Sequence, residues 1–347
     1  DSYDCLSLTS NAKNILTVGA ISGIPNGPFT SSTIQISSFS SFGPTDDGRI
    51  KPDVVGMGVS LTSTIPTSPT AYASLSGTSM SAPNVTGTLV LLQEAYAQKN
   101  AGALMRSATL KGLVIHTADD AGNVGPDYIY GWGLVNAEKA AKVILGDGAS
   151  STNFHKIIQD SLTQTATKTL PLISSGSGPL VATICWTDPP GTAAGNTTDD
   201  RTPKLVNDLD LRISDGTQTY LPYKLDPDQP ANVATTGDNI RDNVEKIIIP
   251  NAIPGKTYTL TINHKGTTLS SGKQAYSLIL SGVGGATYCA SAPTGAPNSK
   301  IIGFSLANTT YNAAAGCNTT GGYTNATNQT IQVEAGATYP LSSVTLG

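Results

Sequence analysis

Apolar positions in the first 147 residues recur with two different periods. "NILTVGA" (14–20) is a short continuous apolar run and predicts a strand ending in glycine, and "IKPDVVGMGVSLTSTIP" (50–66) reads as a turn followed by strand. Over 81–99, Val85, Leu89, Leu92 and Tyr96 fall at i, i+4, i+7 and i+11, the spacing of one helical face. Val90 and Leu91 fill the other side, so this helix is expected to be buried most of the way round, with Gly87 allowing close approach to a neighbour. Further helices are predicted over 101–118 and 136–145, the second with Asn136 as its N-cap and "GDG" as its stop.

After "GDGAS" (146–150) the helical period is lost. Short strand-like runs follow: "GPLVATICWT", "DLDLRIS", "VEKIIIP", "TYTLTINH" and "AYSLILSGV", separated by Gly, Pro, Asp and Asn. This pattern predicts an all-β sandwich or jelly roll over 152–286. A last segment, 288–347, carries "KIIGFSL" and "TIQVEAG" as strands and stops after "SVTLG".

Composition narrows the class. Charged residues make up 13% of the 347, the formal net charge is −4, and glycine is abundant at 36, which fits a turn-rich secreted protein. A nucleic-acid partner would bring a basic patch, and a membrane span would need about 20 consecutive apolar residues; the sequence has neither. "DSYDCLSLTS" lacks the basic start and apolar run of a leader, so the chain is expected to begin after processing. The four cysteines (Cys5, Cys185, Cys289, Cys317) have no metal-type spacing and allow three pairings. Cys289 with Cys317 is favoured, because both fall in one Gly/Asn/Thr-rich segment; Cys185 reads as a buried strand thiol.

The candidate chemistry lies in "GTSMSAP" (77–83). Gly77 permits tight backbone geometry before Ser79. Ser79 would sit where loop becomes helix, and Pro83 is expected in the first turn, where a missing N–H costs nothing. Free amides and the positive helix end would then face a charge developing on Ser79, such as a tetrahedral oxyanion.

The longer string "GTSMSAPNVTG" resembles the nucleophile motif of the subtilisin-like serine peptidases, the subtilases. "NAKNILTVGA" (11–20), "SSFSSFGPTDDGRIKPDVVGMGV" (37–59) and "YGWGLVNAEKAA" (130–141) resemble further family segments in the same order, so the likeness covers 11–143. Gly56-Met57 departs from the family's usual Ala-Pro. The resemblance implies an α/β unit with a parallel sheet over 1–147, the C-terminal half of a subtilase domain. It implies that Ser79 is the catalytic nucleophile, with its own amide in the oxyanion hole and Ser76, Gly77 and Thr78 beside the leaving group.

The family order is Asp, His, then Ser. All three histidines here, His116, His155 and His264, follow Ser79 and read as structural. The triad Asp and His and the oxyanion Asn are therefore expected on a preceding part, which is an expected partner together with peptide substrates. The implied function is a secreted bacterial serine endopeptidase seen in part. The alternative is a non-catalytic extracellular binding or adhesion protein built on part of a peptidase fold.

The run "WTDPPG…LVNDLDLRI…RDNVEKIII" (186–249) resembles the jelly roll that follows some bacterial subtilases, akin to the P domain of proprotein convertases. That likeness raises bound calcium, and no organic cofactor is expected. Strand alternation puts Asp208 and Asp210 on one face and Leu209 and Leu211 on the other. Asp188, Asp242 and Glu245 are further candidate ligands, with Asn207 and Asn243; pairing with Arg212 and Arg241 is the competing use of these acids. Asp226, Asp228 and Asp238 read as turn formers and Trp186 as core. The segment 288–347 resembles the start of a GEVED-type domain.

Overall fold

The computed structural model describes residues 3–24, 30–148, 155–176, 178–193, 195, 197–266 and 268–284, and the backbone of strands at 301–306, 309–312 and 341–346. Cys289 and Cys317, and the strand expected at "TIQVEAG", lie outside the described residues.

The chain opens with two parallel strands, β1 (Val18–Ile21) and β2 (Val54–Met57), Val18 opposite Val54 and Ile21 opposite Met57. An antiparallel hairpin of β3 (Leu61–Thr64) and β4 (Tyr72–Leu75) leads into three helices, α1 (Thr78–Lys99), α2 (Ser107–Thr117) and α3 (Ala137–Gly146). Asn136 caps α3 as expected, its side chain accepting from the Lys139 amide at 2.8 Å. The start of α2 falls later than 101 because Ala101 and Gly102 take positive φ (52° and 86°), which ends α1 in a turn.

One face of α1, formed by Ser81, Val85, Leu92 and Tyr96, is buried against β1, β2 and α3. The opposite side differs from expectation: Val90 and Leu91 are 63% and 65% exposed, because no described element packs there. Gly87 likewise faces open space. The close approach occurs at Gly56 instead, where an added Cβ would stand 2.7 Å from Val85 Cγ2 and 3.0 Å from Ser81 Oγ. The departure from Ala-Pro noted in the sequence thus falls where α1 packs closely on β2.

Residues 155–284 form two four-stranded antiparallel sheets packed face to face. The strands of this region in chain order are β5 (His155–Thr163), β6 (Lys168–Ile173), β7 (Leu180–Trp186), β8 (Leu209–Ser214), β9 (Thr219–Tyr220), β10 (Tyr223–Lys224), β11 (Thr235–Thr236), β12 (Val244–Ile249), β13 (Thr257–His264) and β14 (Lys273–Ser281). One sheet has the order β12-β7-β14-β5 and the other β6-β13-β8-β9, while β10 and β11 make a small ribbon. Leu180, Ala182, Ile184 and Trp186 meet Leu209, Leu211, Ile213, Leu260 and Ile262 in the core between them.

All seven residues of β7 are buried, because its second face lies under α2. That is why "LVATICW" is apolar nearly throughout rather than alternating. Cys185 and Val244 pack with Ile115 and Trp132, and Ile279 packs with Leu113 and Val114. Polar groups are also matched across this contact, with Thr109 Oγ1 2.7 Å from Ser277 Oγ. Helices and sandwich therefore share cores, and the molecule is mixed α and β. The last described strands, β15 (Ile301–Leu306), β16 (Thr309–Asn312) and β17 (Leu341–Leu346), form an antiparallel sheet in the order β16-β15-β17.

Candidate active site

Ser79 is the second residue of α1 and is exposed. Gly77 ties the approach to the helix, donating its amide to Gly58 O (2.8 Å) and accepting from the amides of Met80 (3.0 Å) and Ser81 (3.3 Å). The amides of Thr78 and Ser79 have no partner among the described residues, as the first amides of a helix do not. Ser76 is engaged locally, its hydroxyl accepting from the Ser60 amide at 2.9 Å. Pro83 lies in the second turn rather than the first, so the Ser79 carbonyl lacks its i+4 amide. Ser79 lines an open cleft of about 470 Å³ between the hairpin and the helix start, together with Leu61, Ile65, Leu75, Met80 and Pro83. A hydroxyl, two unpaired amides and a cleft are thus assembled around one point.

No side chain that could act as a base reaches Ser79 among the described residues. His116, on the buried face of α2, lies against Thr183 and Ser281, His155 shares Ser281, and His264 ends β13 beside the Thr165 amide. Asp53 sits on the far end of the same segment as a buried counter-ion. Its carboxylate accepts from Lys51, from Lys111 at 2.8 Å and from the Thr17 amide at 2.7 Å. The two ammonium groups hold Asp53 below the usual carboxylate range against the opposing pull of burial, while burial pulls Lys51 down to about 7.

The acidic residues considered as calcium ligands do not converge. Asp188 accepts from Lys13 and from the amides of Val206 and Asn207. Asp242 accepts from the Ile50 amide at 2.8 Å and from Asn239 at 3.0 Å. Asp208 and Asp210 do share one face, but Lys265 stands between them at 3.1 and 2.9 Å, and Arg212 pairs with Asp210 at 2.7 Å. Asp238, read from sequence as a turn former, joins them at 2.6 Å from Lys265. Glu245 is fully buried, its Oε2 accepting from the Leu211 amide, and burial raises its pKa well above the normal range. Lys13, Lys265 and Arg212 thus pair with Asp188, Asp208 and Asp210, while Asp242 and Glu245 are held by backbone amides elsewhere, so these residues as arranged do not fit one calcium site. A separate exposed trio, Asp4, Asp46 and Asp199, was not legible in the sequence; its carboxylates lie within 4.8 Å of one another. Cys185 is a buried free thiol whose pKa burial pushes up to about 12, which leaves it unreactive.

Residues 4–133 match the model of the subtilase family. The C5a peptidase of Streptococcus pyogenes serotype M3 is 44% identical over 93 residues, 27% of this chain and 8% of that protein. The minor extracellular protease Vpr of Bacillus subtilis is 32% identical over 130 residues, 35% of this chain and 16% of that protein. The chain thus spans a small part of the length of these relatives. Among solved structures, the CspB protease of Clostridium perfringens is 25% identical at a TM-score of 0.35, covering 41% of this chain and 29% of that one. The motif around Ser79, the parallel pair beneath it and the family match coincide in one stretch: residues 4–133 match the subtilase family.

Proposed function

We propose that the protein is a secreted serine endopeptidase whose nucleophile is Ser79. The observation that carries this reading is the exposed Ser79 hydroxyl beside two unpaired amides at the head of α1. Ser79 Oγ gives its proton to the base and attacks the scissile carbonyl, the Ser79 amide stabilises the oxyanion, the C–N bond breaks as the base passes that proton to the departing amine, and water then hydrolyses the acyl ester. The base and its orienting carboxylate come from a preceding part of the same protein. Such a part would also cover the exposed Val90 and Leu91, which leave an apolar strip on the nucleophile helix. Calcium takes no step in this reading.

The test is labelling of the intact protein with a fluorophosphonate, followed by peptide mapping. Modification of Ser79, absent in Ser79→Ala, is expected. An intact protein that hydrolyses peptides without labelling at Ser79, or that neither labels nor hydrolyses, would overturn the proposal.

A further inference from the structure

On β12 the alternation sends Ile247 and Ile249 into the sandwich and turns Val244 and Lys246 toward the helices. Lys246 is 7% exposed, in a position where an apolar residue would be the default. Burying an ammonium costs several kcal/mol unless it is paired. Yet among the described residues Lys246 has one hydrogen bond, to Ile115 O at 3.0 Å, and stands 5.8 Å from the Trp132 ring centroid. An ammonium carries three donors, so two remain unmatched.

These donors border a pocket of about 220 Å³, open to solvent and walled by Trp132, Tyr223, Pro126 and Ile248. The volume lies below the range of about 300–1,000 Å³ typical of whole-ligand sites and suits one side chain. Asp120, exposed, also lines the pocket. Its charge acts on Lys246 without forming an ion pair, and burial lowers the Lys246 pKa to about 8.

We propose that this pocket binds the free terminal carboxylate of a peptide whose last residue is apolar. Two carboxylate oxygens match the two spare donors of Lys246. The apolar side chain lies between Trp132 and Ile248. Asp120 accepts the N–H of the same residue and repels ligands with more than one negative charge, which sets phosphate aside. The site draws on both the family segment and the sandwich, and it is independent of the role given to Ser79.

The probe is N-acetyl-leucine, titrated calorimetrically into the intact protein at about pH 7 after blocking with a fluorophosphonate, with N-acetyl-leucinamide as the neutral comparison. One-to-one binding of the acid, at least tenfold tighter than the amide, is expected. In Lys246→Met that difference disappears, and in the unaltered protein it fades as pH rises past about 8. Equal affinities for acid and amide, or no binding of the acid, would overturn the proposal. The acid–amide comparison needs no variant, so a folding defect in Lys246→Met leaves the test intact. Failure of the peptidase reading would show as absent labelling at Ser79 and would leave this comparison unaffected.

Discussion

His116 Nε2 and His155 Nδ1 meet on the same hydroxyl, that of Ser281, at 2.7 and 2.9 Å. The first histidine belongs to α2 and the second to β5, so the trio fastens the helices to the sandwich. His116 Nδ1 also reaches Thr183 at 2.9 Å. One hydroxyl serves two imidazoles without conflict when both are neutral, donating to one and accepting from the other.

That arrangement has a pH sign. Burial lowers both histidine pKa values, and for His116 Lys246 and His155 lower it further; Asp147 opposes the shift at His155. Each group binds protons more readily in the unfolded chain, whose value is about 6.5. Stability is therefore full above that pH and falls as pH drops through it. Melting temperature should decline between about pH 7.5 and 5.5, by roughly 2–4 °C for each kcal/mol lost. Asp208, raised by burial to about 6, acts in the opposite direction. The measurement is thus the difference between wild type and His116→Gln, which should flatten the profile. An unchanged slope would contradict the shared-hydroxyl account.

Removing the carboxylate of Asp53 leaves Lys51 and Lys111 buried without a counter-ion. Asp53→Asn should cost about 3–5 kcal/mol in chemical denaturation, the usual penalty for breaking a buried pair from one side. Replacement of an exposed pair, Glu138 with Lys142, should change stability far less, because solvent screens a surface ion pair.

Gly56→Ala introduces a Cβ 2.7 Å from Val85 Cγ2, on a β-branched side chain with little freedom in a helix. A loss of about 1–3 kcal/mol is expected from overpacking. Because α1 carries Ser79, the fluorophosphonate labelling rate should fall with it; an unchanged rate would show that the helix start is insulated from its packing on β2.

Ser79→Ala in the intact protein should lower turnover by on the order of 10⁶, the size found for the triad serine in subtilisin, which belongs to this family. Substrate binding should change little. Steady-state kinetics with a peptide substrate separates the two.

Chelation should leave the melting of the sandwich unchanged, since Lys265 and Arg212 already neutralise Asp208, Asp210 and Asp238. A fall in melting temperature with EDTA, reversed by calcium, would show that an ion displaces Lys265.

Much of the site was readable before the fold. "GTSMSAP" places the serine at a helix start because glycine before it and small residues after it allow few other local shapes. Asn136 declared the start of α3 for a similarly local reason. Val90 and Leu91 misled, because periodicity records which side chains are apolar and not whether anything stands opposite them. The acids of the sandwich misled in another way. Sequence alternation set Asp208 and Asp210 on one face, but the base between them, Lys265, lies 55 or more residues on.

The sequence by itself determined the placement of Ser79 at a helix start, the helical and strand periods, the alternation that turns Leu209 and Leu211 to one face, and the absence of a histidine before Ser79. These follow from spacing along the chain. Tertiary structure alone decided that α2 lies on β7 and β14, that His116 and His155 share Ser281, and that Lys246 faces Trp132 with donors to spare. Such contacts join residues far apart in the chain, 165 positions in the case of His116 and Ser281, and only closure of the intervening chain brings their charges and hydroxyls within bonding distance.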